Sequence, residues 1–400
     1  MSSLAWLDSS DHDRRKALDV IRLFSEKDTR DELGIGSVRD AFSEILFPGT
    51  STVQTRARYF FFIPWIYLTL EQRNMAPGKF GKAAKDAEVK LIDALAESDD
   101  PYGTIGLDAR QYLKRMPSSV YWHGLGRLGI RRFHGSRDSY YRSAGSVFGN
   151  VGGGRMGEDE EYGDLSKYNW HPGLPSVPED FPGETDFILT NEEAEFFAER
   201  VRTSAPGSFF SFLLDNSTIV DDVDFPWIHP ETANAPENIR TELLHARNFS
   251  DAMHGAALLY NLMLAEKVNE EEWIDDYREE LDLWTTERDE AGSRLSEWKL
   301  PELWKVAARG RTNISRKTMR FVEEWVENGL KGDRSGGVAN DPVLRQLIHD
   351  RERFLKRKEA RLDNPRALEK WAGASGTGKL DYRWGTVKVM LDDVLKGRGV

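Results

Sequence analysis

The run Tyr59-Phe60-Phe61-Phe62-Ile63-Pro64-Trp65-Ile66-Tyr67-Leu68-Thr69-Leu70 is the longest apolar stretch in the chain. A membrane span needs roughly 20 apolar residues, and this one is shorter and carries Pro64 and Thr69. It therefore has to be buried inside a folded domain, as a helix or a strand, and the rest of the chain must supply its cover. The means are present: 20 Phe, 12 Trp and 12 Tyr in 400 residues can fill real cores, and this length is enough for two or three domains. Cysteine is absent, which removes disulfides, thiolate nucleophiles and thiolate metal sites and fits a reducing compartment. No stretch has the pattern of a signal peptide. The chain reads as soluble and cytoplasmic, with no membrane partner.

Hydrophobic periodicity predicts a mainly α, multi-helical fold in two domains. Ser9 or Ser10 can cap a helix through about Phe24, with Ala17, Val20, Ile21 and Phe24 on its apolar face. A second helix is expected over Ser37–Leu46, and Phe47-Pro48-Gly49 ends it. A third, capped by Thr50, Ser51 or Thr52, enters the apolar run, and a fourth covers 81–97. Residues 103–135 are broken by glycines and allow two short helices and minor β structure. Residues 144–185, rich in Gly and Pro with an acidic patch at Glu158–Glu161, read as a loop or linker between an N-terminal domain (1–143) and a C-terminal helical domain (186–400). In the latter, helices are expected from Asn191 to Arg202 and over 236–267, 269–298, 316–328, 341–362 and 386–396. Trp273, Tyr277, Leu281 and Trp284 form one stripe of the 269–298 helix.

Charge is segregated. Residues 110–142 hold eight Arg or Lys against the single acid Asp138, in a chain of net charge −12. Six aromatics are interleaved with them: Tyr112, Tyr121, Trp122, Phe133, Tyr140 and Tyr141. Cations neutralise phosphates and flat rings stack on exposed bases, so this pattern suits a nucleic acid. It equally suits a protein partner or internal pairing with the acidic surplus. The segment 37–59 has the order helix, turn, then Thr50, Ser51, Thr52, Gln54, Thr55, Arg56 and Arg58, which resembles a helix-turn-helix; an ordinary helical hairpin is the alternative. On these grounds Arg56, Arg58, Arg127, Arg131, Arg132 and Arg137 are the nucleic-acid contact candidates, while Tyr121 and Trp122 are read as packing. The acidic stretch Glu270–Glu290 is read as a solvated face, or as one that screens or mimics nucleic acid.

Catalytic templates are sparse. At about 100° per residue, Arg247, Asp251, His254 and Asn261 fall within a sector of about 80° on an otherwise apolar helix. Such a polar row is either a hydrogen-bonded network that fixes register or a pocket wall with His254 as acid or base. The sequence Gly373-Ala374-Ser375-Gly376-Thr377-Gly378-Lys379-Leu380 approaches a phosphate-binding loop, but Leu380 stands where a magnesium-binding hydroxyl is needed and no strand is expected before it. Glu88-Val89-Lys90 and Glu297-Trp298-Lys299 look like a nuclease E-x-K but lie in helical patterns. The eight histidines show no metal-binding spacing. Neither a metal nor a cofactor is expected.

Several blocks carry a resemblance. They are Ser3-Leu4-Ala5-Trp6-Leu7-Asp8, Arg30-Asp31-Glu32-Leu33-Gly34-Ile35-Gly36, Leu46-Phe47-Pro48-Gly49-Thr50-Ser51-Thr52, Thr55-Arg56-Ala57-Arg58-Tyr59, Pro117-Ser118-Ser119-Val120-Tyr121-Trp122, His254-Gly255-Ala256-Ala257-Leu258-Leu259-Tyr260-Asn261 and Asn364-Pro365-Arg366-Ala367-Leu368 with Gly373-Ala374-Ser375-Gly376. Together they resemble an uncharacterised full-length bacterial family, a domain of unknown function. The resemblance brings no catalytic residues. It implies a place in anti-phage defence gene clusters, beside helicases and phospholipase-D-like nucleases. The expected function is a non-catalytic nucleic-acid-binding (DNA or RNA) or adaptor subunit of such a system. The alternatives are an enzyme built on the His254 row and a protein scaffold.

Overall fold

The computed structural model describes residues 31–73, 75, 78–143, 169–219, 223–331 and 337–399. The described residues form α-helices joined by turns and 3-10 segments, with one isolated bridge, Arg131 to Trp170, and no strand. The helices are α1 (Gly36–Leu46), α2 (Tyr59–Glu71), α3 (Phe80–Ala96), α4 (Pro117–Arg127), α5 (Arg137–Ser143), α6 (Asn191–Ser204), α7 (Phe209–Asn216), α8 (Glu237–Val268), α9 (Glu271–Glu290), α10 (Ser293–Ser296), α11 (Leu300–Ala307), α12 (Arg316–Trp325), α13 (Pro342–Lys356), α14 (Pro365–Leu368) and α15 (Trp384–Arg398). The mainly α class is as the periodicity predicts. The minor β structure expected over 103–135 reduces to that one bridge.

Contacts divide the chain into two units, each discontinuous in sequence. One joins Met1–Phe42 to Glu242–Leu380; the other joins Ser43–Thr241 to Asp381–Val400. The helix expected near Ser10–Phe24 lies outside the described residues, as does the expected linker up to residue 168. The helices that flank that linker, α5 and α6, both belong to the second unit.

In the first unit the centre is α8, whose Phe249, Ala252, Met253, Ala256, Leu259 and Leu262 are buried. The predicted stripe of α9 packs inward, with Tyr277, Leu281 and Trp284 buried. Trp284 lies so close to Gly255 of α8 that a Cβ there would come within 2.3 Å of its ring; only glycine allows that approach. Trp325 of α12 donates its indole N–H to the Ala252 carbonyl at 2.8 Å. Residues 31–36 are held by polar groups. Arg351 donates to the carbonyls of Leu33 and Gly34, and Glu32 is bonded by Lys356, Arg361 and the Ser375 hydroxyl. Burial alone would push the Glu32 carboxyl up, but those hydrogen bonds and the Lys356 and Arg361 charges outweigh it and hold it down at about 2.

In the second unit the apolar run is α2. Every residue from Tyr59 to Tyr67 is buried, so a helix with no polar face is enclosed all round. Phe60 meets Tyr121 of α4 at 5.0 Å and Phe197 of α6 at 5.1 Å between ring centroids. The α6 helix opens on a capping box between Thr190 and Glu193, one residue before the predicted cap, Asn191. Phe47 packs on Trp384 of α15 at 5.8 Å.

The helix-turn-helix expectation does not survive. The connection from Leu46 to Tyr59 is far longer than the three or four residues of that motif. Thr50 and Gln54 bond to their own loop instead of opening α2. Thr50 donates its hydroxyl to the Phe47 carbonyl at 2.7 Å, and the Gln54 side chain donates to the Gly49 carbonyl at 3.4 Å. Loop backbone that is buried must find partners, and these side chains supply them.

Glu88 of α3 is another internal device. Its carboxylate accepts the Ser118 N–H at 2.8 Å and the Ser118 hydroxyl at 2.7 Å. It thus caps the first turn of α4, where Met116 offers no capping side chain. Burial pushes its carboxyl up to about 7, against the Ser118 bonds and the Arg137 charge. A folded-state value above the unfolded one means stability that is full below the unfolded value and lost as pH rises through about 7. The shift corresponds to about 3 kcal/mol of lost stability by pH 8. Urea titrations from pH 5 to 8 are expected to show this slope in the wild type and to show it flattened in Glu88→Gln. Identical slopes in the two proteins would remove Glu88 as the cause.

Candidate functional site

Two regions bring together the residues nominated from the sequence, one in each unit. In the second unit, the arginines proposed to meet phosphates mostly have internal partners. Arg56 pairs with Asp393 at 2.9 Å and bonds the Tyr102 carbonyl at 3.0 Å, and its guanidinium lies 4.5 Å from the Phe187 ring centroid. Burial would lower its pKa, but Asp393 and Asp100 raise it overall. Arg58 is held by both oxygens of Glu193 and by Asp186. Arg127 pairs with Glu44 at 2.7 Å and donates to the Ser204 carbonyl at 2.8 Å.

Among the described residues Arg131 has no carboxylate partner; it lies 4.5 Å over the Trp122 ring and donates to the carbonyls of Phe133 and Trp122. Burial lowers its pKa accordingly. Arg137 donates to the Ser118 hydroxyl at 2.9 Å and sits over Tyr141. Arg132 is half-buried, and its backbone N–H donates to the Asn169 carbonyl. Tyr121 is buried and bridges the backbone of Thr55 and Arg56, and Trp122 donates to the Gly135 carbonyl. Both rings pack, as read.

The outward-facing part of the basic segment is a different set. Tyr112 is 81% exposed. Gln111, Lys114 and Arg115 beside it are exposed, as is Arg142 further along. Tyr112, Lys114 and Arg115 make no hydrogen bond or ion pair through their side chains among the described residues. Tyr112 ends a 3-10 turn at Arg110–Tyr112, and Lys114 and Arg115 lie between that turn and Pro117, the first residue of α4. Within the stretch 110–142 the sequence could not separate them from the arginines that fold inward, because charge is the same for both.

In the first unit the polar row of α8 is split. Arg247 and Asp251 line a cleft of about 470 Å³ with Trp284, Glu287 and Arg288 of α9, then Glu290, Ala291, Arg294, Leu295 and Lys379. Arg294 pairs with Asp251 at 2.8 Å and also donates to the Asn248 side chain. Lys379 pairs with Glu287 at 2.7 Å. Burial lowers the pKa of Arg247, the neighbouring charge of Arg294 adds to the effect, and Asp251 opposes it.

His254 is not among the residues that line this cleft. Burial first, then the Lys379 charge, push it down to about 4, against Glu287 and a hydrogen bond to the Thr377 backbone. Its Nδ1 is buried without a hydrogen-bond partner among the described residues. Neutral at ordinary pH, it has lost the tuning a general acid needs. Asn261 is fully buried and fixes the glycine-rich turn: it donates to the Ser375 carbonyl at 2.9 Å and accepts from the Ser375 N–H and the Trp371 indole. The four-residue row is therefore part cleft and part internal network. The turn 373–380, read as a connection between helices, has that form, with positive φ at Gly373 and Gly376. It also delivers Lys379 to the cleft, which motif matching gave no reason to expect.

Among the described residues no helix is long and apolar enough to cross a membrane, and no group of three or more His, Asp or Glu is placed to hold a metal ion. Residues 1–397 match the family described as "Family of unknown function (DUF6361)". No curated protein and no solved structure matches the chain.

Proposed function

Since the chain belongs to the DUF6361 family over almost its whole length, and that description names no activity, we propose from its own residues that it is a non-catalytic, nucleic-acid-contacting or adaptor subunit. The observation that carries this is the exposed tip of the basic segment, where a ring that is 81% exposed stands beside Lys114 and Arg115. Cations beside a free aromatic face are the elements with which proteins hold single-stranded nucleic acid, by phosphate neutralisation and base stacking. The inward arginines, Arg56, Arg58 and Arg127, take no part in this contact; their pairing with acids in the same unit holds the tip's scaffold together. The setting in bacterial anti-phage defence, in the cytoplasm and beside a helicase or a phospholipase-D-like nuclease, belongs to the same reading and is supported by the block resemblance.

Fluorescence anisotropy with single- and double-stranded DNA and RNA across a salt series tests it. With two or three phosphates neutralised, affinity is expected to fall roughly 10- to 40-fold between about 50 and 200 mM salt. Contact through all six nominated arginines would give roughly 10³-fold. Lys114→Ala with Arg115→Ala is expected to flatten the slope, and Tyr112→Ala to weaken single strands more than duplexes. No binding to any of the four at low salt would defeat the nucleic-acid contact and leave an adaptor that meets only protein.

A further inference from the structure

The cleft between α8 and α9 is not used by that function. Its volume of about 470 Å³ lies within the usual range for small-molecule sites, roughly 300–1,000 Å³. Its most telling group is Arg247. This guanidinium is 43% exposed, its one ion pair is the 3.9 Å contact with Asp251, and it makes no hydrogen bond among the described residues. Asp251 is already committed to Arg294 at 2.8 Å, so one carboxylate faces two guanidiniums. Five N–H donors in a fixed fork, half out of water and without a hydrogen bond among the described residues, suit a planar or tetrahedral oxyanion. Burial of Arg247 and repulsion from Arg294 disfavour its charge, and the charge of an arriving anion would oppose both. Glu287 and Glu290 also line the cleft, so a purely anionic ligand would be repelled there; one that also carries hydrogen-bond donors would not.

We propose that this cleft binds a small metabolite bearing a phosphate or carboxylate together with an amino or hydroxyl group, the anion held by Arg247 beside Arg294. Arg247 is the residue to change, because no described residue hydrogen-bonds to its guanidinium, whereas Arg294 ties α10 to Asn248 of α8.

The test is isothermal titration of the full chain with phosphoserine, serine and inorganic phosphate, each to about 10 mM, a ceiling that reaches the weak affinities of small fragments. Saturable binding of phosphoserine or serine, tighter than that of inorganic phosphate, is expected, weakened tenfold or more in Arg247→Ala and partly restored in Arg247→Lys, which keeps the charge and loses the fork. Phosphoserine binding well above serine identifies phosphate as the anchor; equal binding identifies carboxylate. Circular dichroism verifies that each variant is folded, and Arg142→Ala serves as a control for nonspecific charge. Absence of saturable binding by all three probes overturns the proposal, as does equal binding by wild type and Arg247→Ala.

Discussion

Glu352→Ala is expected to destabilise the α8–α14 unit by about 3–5 kcal/mol, the range for breaking a buried charge network by removing one partner. Glu352 is wholly buried. Its two oxygens accept the Tyr260 hydroxyl at 2.6 Å, the Arg361 N–H and the Leu362 N–H at 3.0 Å each, and Lys356 at 3.2 Å. Truncation leaves two backbone N–H groups and a phenol without acceptors, and removes one of the two carboxylates that balance Lys356, the other being Glu32. Urea denaturation should show the loss, and hydrogen exchange should place it in α8 and α13. A loss below about 1 kcal/mol, the level of an exposed ion pair, would mean that water replaces these contacts and that the network is not a staple.

The second large effect is at Asp393. It is 6% exposed and accepts from Arg56 Nε and from the Ala57 N–H at 2.9 Å. Asp393→Ala is expected to cost about 3–5 kcal/mol by leaving Arg56 buried without its main counter-charge. Arg56→Ala should also destabilise the α2–α7 unit, while leaving nucleic-acid affinity and its salt slope unchanged. This separates a structural arginine from a phosphate contact. If Arg56→Ala were as stable as wild type but lost a measurable part of the salt slope, Arg56 would belong to the binding surface after all. Thermal melts beside the anisotropy series decide between these outcomes.

Much of the helical framework was legible because helices announce themselves locally. The periodicity of Val38, Phe42, Ile45 and Leu46, the helix starting near Asn191, and the Trp273–Trp284 stripe are features of neighbours three or four residues apart. The burial of Tyr59–Tyr67 followed from composition alone, because a run this apolar and too short to cross a membrane has to be covered by the rest of the chain. Its helical start did not. Thr50, Ser51 and Thr52 are good caps in isolation, yet the tertiary environment uses Thr50 and Gln54 to close a loop and delays the helix to Tyr59.

What the sequence by itself determined is that this chain is mainly helical, where its apolar faces lie, and that its positive charge is concentrated between residues 110 and 142. What only the tertiary structure decided is which charges are available. Arg56 and Asp393 are 337 positions apart, and Glu32 meets Ser375 across 343; no local pattern encodes such pairs. An arginine in sequence is a cation with an unknown partner. Its role is set by whether a carboxylate from a distant segment reaches it at about 3 Å, and folding alone brings that carboxylate there. The same reason left Tyr112 undistinguished among the aromatics of 110–142, and Arg247 among the members of its row, until the fold showed that the internal partners had gone to the others.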